Sequence, residues 1–356
     1  MTYQSMKYRY LGSSGLKVSE ICLGSTFSLP SSKDERQNIQ TSFDVLNEFL
    51  HSGGNFIDTA NIYMNGGAEK TIGTWLKTHS RRDDLVIATK ASKPMGTGPN
   101  DAGSSRKHLV KALEASLERL GTTYIDLYQI HCHDRGTSVR ETLMTLNDFV
   151  RAGKIRYIGL SNYTGSTLQK AVGVADALGA ERIVSLQQEY SLLERGYEFY
   201  DLMDVCWEEQ ISCLPWSPLK AGWLSGKYTR CDATYQPNSR AAHAASSSSE
   251  YATLANDATF SIIDEISAIS NEINHTPTAV SIRWLLQKPT VAAAVIGVRN
   301  PTQLKDNLEA TTFELTPEQM KRLDDKSKTP LIYPWRFIEN ANPHRGRKRA
   351  RLECEQ

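Results

Sequence analysis

Long apolar runs are missing from this chain. The longest, about Val291 to Val298, falls far short of the ~18–20 residues a membrane-crossing helix needs, so no membrane span is expected. The first residues, MTYQSMKYRYLG, hold no apolar run and do not read as a secretory signal. An excess of one charge is missing too. Lys and Arg number 41, Asp and Glu 40, and the formal net charge is +1. No global field then favours nucleic acid or an acidic membrane. Cysteine is sparse: Cys22, Cys132, Cys206, Cys213, Cys231 and Cys354 stand without a C-x-x-C pair. That excludes a disulfide framework and a zinc finger, and fits reduced thiols in a cytoplasmic protein. No G-x-G-x-x-G follows an early apolar run, which argues against an open dinucleotide-binding sheet.

What is present fills a core. Apolar residues make up 40% and charged residues 23% of 356 positions, which excludes a disordered chain. Short apolar runs recur at Ile21–Leu23, Phe56–Ile57, Leu85–Ala88, Ile125–Ile130, Ile155–Ile158, Ile183–Leu186, Ile211–Leu214 and Ala292–Ile296. Their lack of alternation fits parallel strands buried on both faces. Amphipathic stretches lie between them. Leu109, Leu113, Leu117 and Leu120 form one stripe in Ser105–Leu120, with Gly121 as a stop; Leu143, Leu146 and Val150 form another in Glu141–Val150, before Gly153. Asn300-Pro301 opens a helix over Pro301–Ala310 with a cap residue and then proline. Eight strand–helix units predict an α/β fold, a closed (β/α)8 TIM barrel, with an N-terminal β-hairpin over YRYLGSSGLKVS. Long βα loops are expected at Ser92–Ser105 and about Ser217–Tyr251, which includes AAHAASSSSE. Residues 1–330 read as the barrel and 331–356 as a basic tail, whose RGRKRAR (Arg345–Arg351) reads as a solvated end.

A barrel of this kind carries its active site at the C-terminal ends of the strands. Asp58 follows the second run, with Tyr63 five residues on. Lys90 follows the third run and His131 the fourth. A phenol has an ordinary pKa near ~10, too high for an efficient donor at neutral pH, and a nearby Lys90 ammonium would favour its phenolate. Asp58 would keep that lysine charged and in place. His131 could hydrogen-bond a substrate oxygen. An Asp–Lys pair alone is often structural; four such residues at consecutive strand ends are harder to explain by packing. Together they imply proton delivery to a carbonyl oxygen. His131-Cys132-His133-Asp134 has no second ligand group at metal spacing, so no metal site is expected.

The later strands carry different chemistry. Ser161 and Asn162 follow the fifth run and Gln187 the sixth. Trp216, Ser217, Pro218 and Leu219 follow the seventh, then Gly222 and Lys227; Gly297 and Arg299 follow the eighth. Amides and hydroxyls beside an aromatic face suit a flat carboxamide ring. The helix start after the eighth run, with Arg299, suits a phosphate.

With these residues in view, the chain resembles the aldo-keto reductase superfamily over about Lys7 to Ser327. The motifs FIDTANIYMNGGAE, LVIATK, IDLYQIHCHD, GKIRYIGLSN, SLQQEYSLL, PWSPLKAGWLSGKY and VIGVRNPTQLKDN carry the resemblance in that order. Their style is most similar to the branch holding potassium-channel β-subunits and aryl-alcohol dehydrogenases. The resemblance implies an NADPH/NADP+-dependent oxidoreductase acting on a small-molecule carbonyl substrate. It implies a catalytic tetrad of Asp58, Tyr63, Lys90 and His131, with Tyr63 as proton donor. It places Ser161, Asn162 and Gln187 at the carboxamide and Trp216 on the nicotinamide ring. Ser217, Pro218, Leu219, Gly222 and Lys227 would follow the pyrophosphate, and Gly297, Arg299, Gln303 and Asn307 the adenosine. Gly24, Ser25 and Thr26 would meet the cofactor at the first strand end, where the family often has G-T-aromatic or G-T-M. Lys220 stands where the family more often has a small residue. Channel-type relatives form oligomers, so the resemblance leaves room for one. It also implies a second reading, a regulatory subunit that binds NADPH and turns over slowly.

Overall fold

In a computed structural model, the described residues are 6–28, 35–78, 82–230, 242, 245–246 and 249–342. The chain opens with an antiparallel hairpin, β1 (Tyr8–Tyr10) and β2 (Lys17–Ser19). Eight parallel strands follow: β3 (Ile21–Gly24), β4 (Phe56–Asp58), β5 (Val86–Ala91), β6 (Ile125–Ile130), β7 (Ile155–Ser161), β8 (Ile183–Glu189), β9 (Ser212–Trp216) and β10 (Ala294–Gly297). They pair in sequence order, and β10 closes the barrel against both β3 and β9. The expected (β/α)8 barrel with its N-terminal hairpin is the observed fold.

Except for β6, which matches its apolar run, each strand outlasts or shifts from its run. Asp58 lies inside β4 and Lys90 inside β5, not past them, and β7, β8 and β9 run on to Ser161, Glu189 and Trp216. The barrel interior near its mouth is polar, so the hydrogen-bonded ladder continues where the apolar letters stop. The stripe helices sit outside. α1 (Glu35–His51) and α2 (Gly67–Lys77) precede α3 (Arg106–Leu120), α4 (Val139–Arg151) and α5 (Gly165–Leu178). Ser105 caps α3 by accepting from His108 N–H, and Gly121 ends it at φ 64°. Ser138 caps α4, so that helix starts before the apolar stripe, and it closes on Ala152 with Gly153 just beyond. The helix after β10 is Pro301–Leu308, ending before Ala310 in a 3-10 turn over Glu309–Thr311.

The hairpin plugs the bottom of the barrel. Leu11 and Val18 are buried against Cys22, Phe56, Val86, Leu127 and Leu214. Gly12 makes this approach feasible: its φ is 57°, and a Cβ there would collide with the Val184 carbonyl oxygen. Its N–H donates to Ser212 Oγ at 2.7 Å. Long connections therefore collect at the opposite end. Ser92–Ser105 is folded on itself, with Met95 N–H donating to Asp101 O at 2.9 Å. The excursion after β9 is partly a 3-10 helix, Lys220–Ser225, and ends in a short helix, Ser249–Ala252; half of AAHAASSSSE lies outside the described residues. The expected basic tail is not uniform. Trp335–Ala341 forms a helix, and Trp335 Nε1 donates to Asp201 Oδ1 at 2.7 Å; Arg345–Arg351 lies outside the described residues. No helix among the described residues is long and apolar enough to cross a membrane.

Candidate active site

Asp58 and Lys90 meet at the barrel axis because β4 and β5 are neighbours and both side chains point inward. Lys90 Nζ donates to Asp58 Oδ2 at 2.5 Å and to Thr59 O at 2.9 Å. Gln129 Nε2 and Gln187 Nε2 donate to Asp58 Oδ1 at 3.0 and 2.9 Å. The carboxylate is thus fully occupied, as a buried charge must be. Burial works against the Lys90 charge, but Asp58 and Tyr63 outweigh it and hold its pKa above the ordinary lysine value.

Tyr63 opens a 3-10 turn, Tyr63–Gly66, that follows β4. The residue is 37% exposed and lines the cleft, whereas Lys90 is wholly buried beneath it. The ammonium faces the ring, 5.2 Å from its centroid. His131 follows β6, with its ring edge-on to Tyr63 at a centroid distance of 5.7 Å. Burial, with the Lys90 and Lys93 charges, pushes the His131 pKa down to about 3. The imidazole is therefore neutral at ordinary pH, and its buried Nδ1 has no protein partner. All four expected residues come together.

A cleft of about 810 Å³ runs from this group across the mouth of the barrel. Every residue expected at a cofactor lines it: Gly24, Ser25, Thr26, Asp58, Ser161, Asn162, Gln187, Trp216, Ser217, Pro218, Leu219, Gly222, Lys227, Gly297, Arg299, Gln303 and Asn307. The amides expected at a carboxamide also serve the protein. Asn162 Nδ2 donates to His131 O at 2.8 Å, and its Oδ1 accepts from Trp216 Nε1 at 3.2 Å. Ser217, Lys220, Ala221 and Gly222 all have positive φ, which bends this strap along the cleft wall. Lys220 is buried under the strap. Its Nζ donates to Glu189 Oε1 at 2.8 Å and sits 5.1 Å from the Tyr251 ring centroid, so it ties the strap to β8 and to the end of the long loop.

Sequence reading missed several participants. Gln129 precedes His131 by two, and strand alternation alone puts both on the inner face. Lys93, Tyr228, Thr276, Pro277, Thr278 and Asp306 also line the cleft. They come from loops and helix ends, where no periodicity signals direction. Among the described residues, no three His, Cys, Asp or Glu side chains gather as metal ligands.

Fold and site together define a (β/α)8 barrel with an exposed phenol above a buried lysine–aspartate pair and a long cleft beside it. The chain belongs to the aldo/keto reductase family, whose model matches residues 20–328. Among similar proteins is uncharacterized oxidoreductase YrpG of Bacillus subtilis, 35% identical over 93% of this chain and 100% of its own length. A putative voltage-gated potassium channel subunit beta of Schizosaccharomyces pombe is 31% identical over 94% of this chain and 97% of its own. Versiconal hemiacetal acetate reductase of Aspergillus parasiticus is 30% identical over 92% of this chain and 99% of its own.

Proposed function

We propose that this chain is an NADP-dependent reductase that converts an aldehyde or ketone to an alcohol, with Tyr63 as the proton donor. The observation that carries the reading is the exposed Tyr63 phenol on the cleft wall with the buried, Asp58-held Lys90 ammonium against its ring. The cleft fits a dinucleotide. Gly24 lines it and packs closely on β10, since a Cβ there would meet Ile296 O at 3.0 Å. Asn300 caps the helix Pro301–Leu308, and Arg299 lies beside its free N–H groups, a donor set suited to phosphate. When bound, a reduced nicotinamide supplies the hydride.

The chain's own residues do the rest. Trp216, fixed through Asn162, offers a flat wall to an aromatic ring. Neutral His131 hydrogen-bonds the substrate oxygen and orients it without competing as an acid. Tyr63 gives its proton to that oxygen as charge builds there. The Lys90 ammonium stabilises the phenolate left behind, and Asp58 keeps the ammonium in place. NADP rather than NAD is favoured by the Arg299 cation at the adenosine end. We take 1–330 as the catalytic unit and 331–356 as an appendage. The unpaired thiols of Cys22, Cys132, Cys206 and Cys213 support a reducing, cytoplasmic setting.

The oxidoreductase and reductase names of relatives support catalysis, and the channel-subunit names support the slow, regulatory alternative. One assay addresses both: NADPH oxidation with an aromatic aldehyde, alongside NADPH binding by fluorescence. Tyr63→Phe is expected to lose about 10²–10⁴ of turnover, the usual worth of a positioned acid, and to bind NADPH as before. Wild-type turnover in that variant refutes the assignment. Wild-type turnover slower than cofactor exchange favours the regulatory subunit.

A further inference from the structure

The substrate side of the cleft holds a cation that the proposed reduction does not use. Lys93 lines the cleft with Tyr63 and His131 and is exposed. The backbone before it is fixed. Ser92 is buried at φ 124°; its carbonyl accepts from Gly103 N–H at 2.7 Å and its hydroxyl from Cys132 N–H at 3.3 Å. Ala91 O accepts from His131 N–H at 2.8 Å. Lys93 is therefore held next to His131 by strand edges rather than carried on a swinging loop.

Asp58 and the acids of the adjoining loops, Asp101 and Asp134, are already committed. Asp58 is shared by Lys90, Gln129 and Gln187. Asp101 accepts from Lys111 Nζ at 3.1 Å and Gly98 N–H at 3.0 Å. Asp134 accepts from Thr137 Oγ1, Ser104 N–H and Gly136 N–H at 2.6–2.8 Å. Among the described residues none forms an ion pair with Lys93, and its field is felt at the His131 ring. With His131 neutral, the end of the cleft lined by Tyr63, His131 and Lys93 carries the Lys93 cation.

We propose that Lys93 is a specificity-determining residue that pairs with an anionic group on the carbonyl substrate. The substrate class is an aldehyde or ketone bearing a carboxylate several bonds from the reacting carbon. The inference rests on the reductase reading, because Tyr63 and His131 mark where the carbonyl oxygen sits. A cation beside a partly enclosed apolar wall favours a carboxylate over a neutral group of the same shape, and loses that preference when only its charge is removed.

The test uses a matched pair, 4-formylbenzoate and neutral 4-formylbenzamide. Calorimetric affinity is measured for the full chain, free and saturated with NADP+, so that binding is read without turnover. Wild type is expected to bind the carboxylate about three- to tenfold more tightly, the range of a partly screened ion pair. Lys93→Met is expected to bring the two affinities level, and Lys93→Arg to restore the difference. Level or undetectable binding of both compounds by wild type overturns the proposal. So does a preference that survives in Lys93→Met. Reduction of both aldehydes with NADPH is followed in parallel. If the affinity difference depends on Lys93 but neither aldehyde is reduced, the anion site stands and the reductase reading falls.

Discussion

The clearest physical consequence of this site is a histidine that refuses a proton. His131 is held at about 3, against an ordinary value of 6.5, by burial first and then by the Lys90 and Lys93 charges. The unfolded chain accepts a proton at the ordinary value, and the folded chain does not. Between those two values the unfolded state binds more protons, so stability is complete above the ordinary value and is lost as pH falls toward 3. Each unit of pH in that window costs ~1.4 kcal/mol, so at about pH 5 this one residue removes roughly 2 kcal/mol relative to neutral pH. His131→Asn carries no such proton linkage. Urea unfolding of wild type and variant, at about pH 7.5 and about pH 5, isolates the contribution, because every other titrating group cancels in the double difference. Wild type is expected to lose ~2 kcal/mol more than His131→Asn over that interval. An equal loss in the two proteins would mean that the imidazole titrates normally and that the site holds a cation at that point. The same neutrality has a kinetic corollary: no inflection in kcat/KM near pH 6.5 should vanish on His131→Asn.

Three further perturbations probe the layers around it. Gln129→Leu removes a charge-assisted hydrogen bond to buried Asp58 and is expected to cost about 1.5–3 kcal/mol in urea unfolding; no loss would show that Lys90 and Gln187 satisfy the carboxylate alone. Gly159→Ala places a Cβ 2.7 Å from Ser185 Oγ and 2.9 Å from Gln129 Cγ, inside the barrel. Overpacking of that kind costs about 1–3 kcal/mol, and an unchanged melting temperature would reveal slack in the interior. Arg299→Ala is expected to weaken NADPH binding about tenfold more than NADH binding, read by fluorescence titration, because only the former presents a 2′-phosphate on its adenosine ribose for the guanidinium. Equal losses would remove the argument for NADP.

The barrel is legible because its strands are buried on both faces and its helices on one. Those two patterns differ even in short stretches such as Ile125–Ile130 and Leu109–Leu120. The reading falters at the mouth, where inward positions become polar. Asp58, Lys90 and Ser161 look like residues beyond the strands, yet each is in the ladder. Parity recovers what hydrophobicity loses. In β6 and beyond, Leu127, Gln129 and His131 alternate with outward Tyr128 and Ile130. The same inner row thus passes from apolar plug through a donor to Asp58 and on to the site. That row explains why a buried acid can exist here at all, since the strands that place Asp58 also bring in Lys90, Gln129 and Gln187. Loop residues follow no such parity. Lys93 lines the cleft next to Ser92, whose φ is 124° and which is pinned by Gly103 and Cys132, contacts made across 40 and fewer residues of chain. Lys220 is buried because the strap turns left-handed over Glu189 and Tyr251. Of the residues proposed to handle the proton, Asp58, Lys90 and His131 lie on strands or directly past one and are readable from alternation, whereas Tyr63 lies in the turn after β4 and is placed by that turn. The residue proposed to choose a substrate, Lys93, lies where the chain is fixed by contacts distant in sequence. Chemistry in this barrel is therefore written in local periodicity and specificity in tertiary structure, and the Lys93 variants test the second without disturbing the first.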